Sequence, residues 1–150
     1  MKTLPLGDTG IEMAKSISKC ITGFSEAVNK THDIILVLGD RGEMLAASIV
    51  GAHMNIPVAH IGGGHISGSI DDHIRNAVTV FSDIHFVPNK KCAERVIALG
   101  ANPKYVFVVG APDLDYIRNK EFARPEEISK KFGLNLAEPI ILVSQHPVTT

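Results

Sequence analysis

The chain has 150 residues, a formal net charge of −1 and a mean hydropathy of +0.14. This length allows one domain with a hydrophobic core, and the nearly balanced charge gives no electrostatic basis for binding nucleic acid or an anionic membrane. No apolar run approaches the ~20 residues that span a bilayer, and two cysteines without metal-ligand spacing exclude a disulfide framework, so we expect a cytoplasmic protein.

The predicted secondary structure alternates between helices and strands. Apolar spacing predicts a helix over 11–30, and the branched run at 34–38 predicts a strand buried on both faces, as in a parallel sheet. The next predicted elements are a helix at 42–53, a strand at 57–61, a helix at 71–81, a strand at 84–87, a helix at 89–99 and a strand at 105–109. This alternation predicts an α/β fold with a Rossmann-like, doubly wound parallel sheet.

The sequence changes in character after Pro112. Residues 113–124 are charged and could form a helix followed by a connection, whereas Pro125 and the two acids after it are typical of a helix start. A last strand is predicted at 139–144. Because the chain opens on a helix and ends just past a strand, we expect it to be the middle of a larger protein.

Asp40 and Arg41 lie where the first predicted strand ends and a helix begins. One interpretation is a carboxylate and a guanidinium at a ligand site, where the helix N-terminus offers amides to a phosphate. The other is that Asp40 only caps the helix, which is a common role for aspartate. The sequence leaves both open.

Three glycines, Gly62, Gly63 and Gly64, follow the second predicted strand. Glycines at such a place let the backbone bend sharply and approach a ligand closely, and the alternative is a flexible surface loop. The pattern is not the GxGxxG fingerprint of dinucleotide-binding proteins.

Two acids and an arginine open the third predicted helix. Asp71 and Arg75 are four residues apart and can pair on one face, while Ser69 and Asp72 have the spacing of a capping box. Capping accounts for one acid and leaves the other spare. A spare carboxylate facing a cleft could act as a general base.

The seven histidines lack any metal-binding pair such as HExxH, so we expect neither a metal site nor a cofactor. His60 and His85 lie within strands and are expected to be buried, hydrogen-bonded structural residues. His146 follows the last predicted strand and precedes a proline, which places it in an exposed turn where acid–base chemistry is possible.

Taken together, these segments resemble the UDP-N-acetylglucosamine 2-epimerase family, and more closely its hydrolysing branch. The resemblance rests on Leu-Gly-Asp-Arg at 38–41, Pro-Val-Ala-His-Ile and the glycines at 57–64, and Ser-Gly-Ser-Ile-Asp-Asp-His-Ile-Arg-Asn-Ala at 67–77. It continues with His-Phe at 85–86, Gly-Ala-Pro at 110–112 with Asp115, and Ser-Gln-His-Pro-Val-Thr-Thr at 144–150.

The resemblance implies a two-domain, glycosyltransferase-B-like fold with the active site between two Rossmann-like halves. Residues 1–118 would be an N-terminal domain without its first strand, and 119–150 a linker and the start of the second domain. The implied reaction converts UDP-N-acetylglucosamine into UDP and N-acetylmannosamine, the entry point to sialic acid. Apart from the resemblance, the predicted helix at 44–54 is apolar enough to support a homodimer or higher oligomer. The 150 residues alone are expected to be inactive.

Site roles are also implied by the resemblance. Asp40 and Asp71 would handle the C2 proton, and His146 would act near the leaving group. The substrate-binding set would be Arg41, Gly63, Gly64, Ser67, Asp72 and Arg75. Gly62 and His65 stand where the family often has acids. A non-hydrolysing epimerase and a non-catalytic nucleotide-sugar binding module are the alternatives.

Overall fold

The computed structural model of the chain describes residues 9–29, 31–120 and 122–145. Its helices are α1 (Gly10–Ala27), α2 (Gly42–Met54), α3 (Ile70–Val80), α4 (Lys90–Ala98), α5 (Leu114–Arg118) and α6 (Pro125–Phe132), with a 3₁₀ turn at Pro103–Tyr105. Its strands are β1 (Ile35–Leu38), β2 (Val58–Ile61), β3 (Ile84–Val87) and β4 (Val106–Val108). The predicted elements up to Val109 are therefore confirmed, with ends shifted by at most three residues.

The four strands form one parallel sheet in the order β1-β2-β3-β4. Val37 pairs with His60, His60 with His85, and His85 with Val106, so these four residues share one face of the sheet. Successive strands are parallel because each crossover helix returns the chain to the same end of the sheet, and each strand lies beside the one that precedes it in the chain. The carboxyl ends of β1, β2 and β3 consequently meet at one edge.

Helices α2, α3 and α4 cover the face of the sheet that carries Val37. One core cluster joins Val37 and Val58 to Ala47 of α2 and Val78 of α3. A second cluster joins Val87 of β3 to residues of α4. Each cluster removes apolar surface from water, which is the main favourable term in folding.

The expectation that β1 is buried on both faces is wrong. Leu36 and Leu38 point away from the helix-covered face and are 61% and 63% exposed. Phe107 on β4, on the same outer face, is also exposed. The physical reason is that, among the described residues up to Gly110, the core clusters join the helices to the Val37 side of the sheet.

The predicted last strand at 139–144 is also wrong. These residues have no strand pairing, and Leu142 is 93% exposed. A strand needs a neighbour to satisfy its backbone hydrogen bonds, and none of the residues in the described part of the chain pairs with this segment. The segment belongs to a second compact unit that starts at Ala111, while the chain up to Gly110 forms the first. The division into domains stays a prediction.

The helix at Pro125 is confirmed as α6, and a short helix, α5, lies within the charged segment. Among the described residues, no helix is long and apolar enough to cross a membrane. The apolar helix α2 packs against α1, α3 and β1, so much of its surface is used inside the first unit. Assembly into oligomers stays a prediction.

Candidate active site

A cluster of charged side chains lies at the carboxyl ends of β1 and β2, beside the start of α3. Arg75 is its centre and is only 5% exposed. Its Nη2 donates to Oδ2 of Asp40, which follows β1. Its Nη1 donates to Oδ1 of Asp72 at 2.6 Å and to the carbonyl of His65 at 3.0 Å. One guanidinium thus joins two carboxylates from different elements, and we call Asp40, Asp72 and Arg75 the carboxylate–arginine cluster.

The expected Asp71–Arg75 pair is wrong. Arg75 uses the residue three positions earlier, Asp72, because that carboxylate also faces the loop before α3. Asp71 is exposed instead, and its Oδ2 accepts a hydrogen bond from the Ser69 hydroxyl at 3.0 Å. Asp71 is therefore the spare acid of the pair.

Asp72 fixes the loop that leads into α3. Its carboxylate accepts from the backbone N–H of Ser67 and of Gly68, each at 2.8 Å, and from the Ser67 hydroxyl at 2.8 Å. These backbone hydrogen bonds, then the hydroxyl and Arg75, hold the pKa of Asp72 well below its usual range. Because the Asp72 carboxylate accepts all of these hydrogen bonds, it fixes the loop and Arg75 in place. Ser67 is bound to it through both its backbone N–H and its hydroxyl.

The predicted capping box is half correct. Ser69 is the N-cap of α3, and its Oγ accepts from the backbone N–H of Asp71 at 3.3 Å. The other half is wrong, because Asp72 reaches back to the amides of Ser67 and Gly68 and not to the amide of Ser69. The loop turns at Gly68, which has a φ of +79°, and the N–H groups of Ser67 and Gly68 face the Asp72 carboxylate.

Asp40 does not cap α2. The N-cap position belongs to Arg41, whose guanidinium pairs with Glu43 at 3.1 Å and is 64% exposed. The Asp40 side chain turns to Arg75 and remains 31% exposed. Of the two interpretations of Asp40, capping is therefore wrong, and the carboxylate is part of a charged cluster that solvent reaches.

The glycine loop is packed against the protein itself. Gly63 and Gly64 are buried, and Gly64 has a φ of +82°. A Cβ atom at Gly64 would lie 2.4 Å from the backbone oxygen of Cys92 on α4. Close packing, and not surface flexibility, therefore requires glycine there. Contact of Gly63 and Gly64 with a substrate stays a prediction.

His60 is fully buried in β2 and hydrogen-bonded at both ring nitrogens, as expected. His85 is also buried, as expected, and interacts with the backbone of Ser82, while its Nδ1 has no hydrogen-bond partner among the described residues. Within the described ranges, no group of three or more histidine, cysteine or acidic side chains could hold a metal. His146 lies outside the described residues.

Two contributing side chains were missed by the sequence analysis. Thr79 of α3 donates to His60, and Arg95 of α4 donates to the Gly64 carbonyl at 3.0 Å. For Thr79 the available signal was a polar residue within the otherwise apolar stretch at 77–81; the charged helix around Arg95 gave no such signal. Nothing in the sequence says which buried group such a residue meets.

Burial of the histidines predicts a pH-dependent stability. Desolvation lowers the pKa of His60 from 6.5 to about 4 and also lowers the pKa of His85. Between these values the unfolded chain binds protons that the folded chain excludes, so the free energy of unfolding is largest above pH 6.5 and falls as the pH drops toward 4. Urea unfolding at several pH values measures how the free energy of unfolding depends on pH. His60→Gln should flatten the dependence, and an unchanged dependence would contradict the assignment.

Fold and cluster together define a Rossmann-like α/β protein with a charged site at the carboxyl ends of its strands. Comparisons with known proteins are consistent with that class. The family model for UDP-N-acetylglucosamine 2-epimerase matches residues 3–150. The chain belongs to the UDP-N-acetylglucosamine 2-epimerase family.

Three relatives illustrate the match. The chain is 40% identical to UDP-N,N'-diacetylbacillosamine 2-epimerase (hydrolyzing) of Legionella pneumophila, over 91% of this chain and 36% of that protein. It is 34% identical to UDP-N-acetylglucosamine 2-epimerase of Neisseria meningitidis, over 94% of this chain and 37% of that protein. Its structure resembles that of the UDP-GlcNAc 2-epimerase of Methanocaldococcus jannaschii, with a TM-score of 0.70 and 23% identity. The match covers 86% of this chain and 36% of that chain.

The chain thus spans little more than a third of the length of these relatives. The fold class is confirmed as a Rossmann-like parallel α/β sheet of the glycosyltransferase-B-like type. Membership of the family, which the sequence motifs indicated, is confirmed as well.

Proposed function

We propose that the protein carrying this chain is a hydrolysing 2-epimerase of a UDP-linked 2-acetamido sugar, with UDP-N-acetylglucosamine as substrate. The observation that carries the proposal is the carboxylate–arginine cluster, with a partly exposed Asp40 held at the carboxyl end of β1. The 40% identity to a relative named as hydrolysing supports the branch. A cytoplasmic location and a homo-oligomer belong to the same proposal.

The proposed chemistry begins at C2 of the sugar. A carboxylate removes the C2 proton, the C1–O bond breaks, and UDP leaves with the bonding electrons, which gives a glycal. Water then adds its hydroxyl to C1, and a proton returns to C2 on the opposite face. One water is consumed, and the products are UDP and N-acetylmannosamine. The C2 proton is weakly acidic, so a positioned carboxylate is required.

Asp40 and Asp71 are the proposed proton-handling carboxylates. Asp40 is fixed by Arg75 yet reachable, and Asp71 is exposed beside Ser69. Asp72 is engaged by the loop amides and would organise the site together with Arg75. These differences in environment support separate roles for acids that lie close together in the sequence.

The leaving pyrophosphate needs positive charge or hydrogen-bond donors. Arg41 is exposed at the N-terminus of α2, where the helix amides also favour an anion. We propose that Arg41 binds the pyrophosphate, with Ser67, Gly63 and Gly64 lining the sugar site. Assistance to the leaving group by His146 remains part of the proposal.

UDP-N,N'-diacetylbacillosamine is a second candidate substrate. The name of the Legionella pneumophila relative, which is 40% identical to this chain, favours it. The two candidates share the 2-acetamido group and C2 proton on which the proposed chemistry acts, so they differ in recognition and not in mechanism. Parallel assays of both sugars separate them.

An NMR time course of the complete protein with each UDP-sugar tests the proposal. We expect UDP and a free 2-acetamido sugar with inverted C2, and one atom of deuterium at C2 when the solvent is D₂O. A UDP-linked product would identify a non-hydrolysing epimerase. Calorimetric binding without turnover at high protein concentration would identify a binding module instead.

A further inference from the structure

A chain of hydrogen bonds, buried at Thr79 and His60 and half-buried at Gly39, connects the interior of α3 to the end of β1. Nδ1 of His60 lies 3.1 Å from Oγ1 of Thr79, and Nε2 of His60 lies 2.9 Å from the carbonyl oxygen of Gly39. His60 is 0% exposed and Thr79 is 2% exposed. We call these three residues the buried relay.

Hydrogen-bond chemistry fixes the direction of the relay. A carbonyl oxygen only accepts, so Nε2 of His60 carries the proton and donates to Gly39. Because burial keeps this imidazole neutral, Nδ1 is left as an acceptor for the Thr79 hydroxyl. Each of the three groups therefore has one defined role, and no ring nitrogen remains for a ligand.

The relay ends at the peptide unit that leads into Asp40. The N–H of Gly39 donates to the carbonyl of Ile61 on β2 at 2.9 Å, and its carbonyl accepts from His60. Gly39 has a φ of +79°, a conformation that glycine adopts readily. Both backbone polar groups of Gly39, the residue before Asp40, are thus hydrogen-bonded to residues of β2.

Gly63 keeps the space that the relay needs. A Cβ atom at this position would lie 3.1 Å from Oγ1 of Thr79 and 3.2 Å from Nδ1 of His60. Contacts that short would push on the hydrogen bond between the two side chains. Gly63 therefore has a structural role, because its missing side chain leaves room for the hydrogen bond between His60 and Thr79.

We propose that the buried relay positions the Asp40 carboxylate for proton handling, which makes His60 and Thr79 positioning residues. Arg75 holds the carboxylate from the side-chain end, and the relay holds its backbone from the other. This inference rests on the proposed function. A carboxylate displaced by about 1 Å can lose roughly 100-fold in rate, so the relay has a measurable effect on turnover.

The test compares Thr79→Val with Ser48→Ala. Valine keeps the shape of threonine and removes the hydroxyl, while Ser48 is a buried helix hydroxyl that donates to the Met44 carbonyl at 2.8 Å, outside the relay. We expect Thr79→Val to lower kcat roughly 10- to 100-fold with KM nearly unchanged. Ser48→Ala should leave both constants near wild type. If Thr79→Val and Ser48→Ala are equally stable and lower kcat by the same factor, the proposal is overturned.

NMR spectra of the complete protein, labelled with ¹⁵N at histidine and aspartate, test the relay independently of turnover. We expect His60 to be protonated at Nε2 only, and the Asp40 amide signal to move in Thr79→Val but not in Ser48→Ala. An unmoved Asp40 signal, or a proton on Nδ1, overturns the relay even if the wild type is an epimerase. Failure of the wild type to turn over UDP-sugars overturns the proposed function instead.

Discussion

Asp40→Asn is expected to lower kcat of the complete protein on UDP-N-acetylglucosamine by about 100-fold or more. Asparagine keeps the size of the side chain and can still accept a hydrogen bond from Arg75, so the fold should be retained. It has no ionised carboxylate with which to remove the C2 proton. The rate of UDP release, and of deuterium entry at C2 in D₂O, measures the effect.

Two further variants make this result specific. Asp33→Asn removes an exposed carboxylate just before β1, outside the cluster, and should retain the wild-type rate. Asp71→Asn tests the second candidate acid. If Asp40→Asn stays within threefold of wild type while Asp71→Asn is inactive, Asp71 is the base and Asp40 is a structural partner of Arg75.

Arg75→Met is expected to lower the free energy of unfolding by about 1.5–3 kcal/mol, the range for losing a hydrogen bond to a charged group. Methionine keeps much of the aliphatic stem but removes the guanidinium that joins Asp40 and Asp72. The two carboxylates then lose their shared cation, and the carbonyl of His65 loses its donor. Urea unfolding followed by circular dichroism at neutral pH measures the change.

Arg41→Met is the matched control for stability. Arg41 also pairs with a carboxylate, that of Glu43, but its side chain is 64% exposed. Exposed pairs contribute about 0–1 kcal/mol, so this variant should unfold close to wild type. A similar loss in both arginine variants would show that burial of Arg75 is not what stabilises the cluster.

Several features of the site could be predicted because they follow from local rules. The Ser69 cap depends on residues within one helical turn, and the burial of His60 follows from its place in an apolar strand. The errors lie where local rules compete. Asp40 has the chemistry of a cap, but a guanidinium 35 residues away in the sequence binds it instead.

The sequence alone determined the α/β class, the positions of the helices and strands up to Val109, and the family, because periodicity and short motifs are local properties. Only the tertiary structure decided the partners of Arg75, the exposure of Leu36 and the contact of His60 with Thr79. Partners such as these come together through the register of the sheet and the packing of α3. A hydrogen bond between distant residues depends on that packing, which no pattern within a single element encodes.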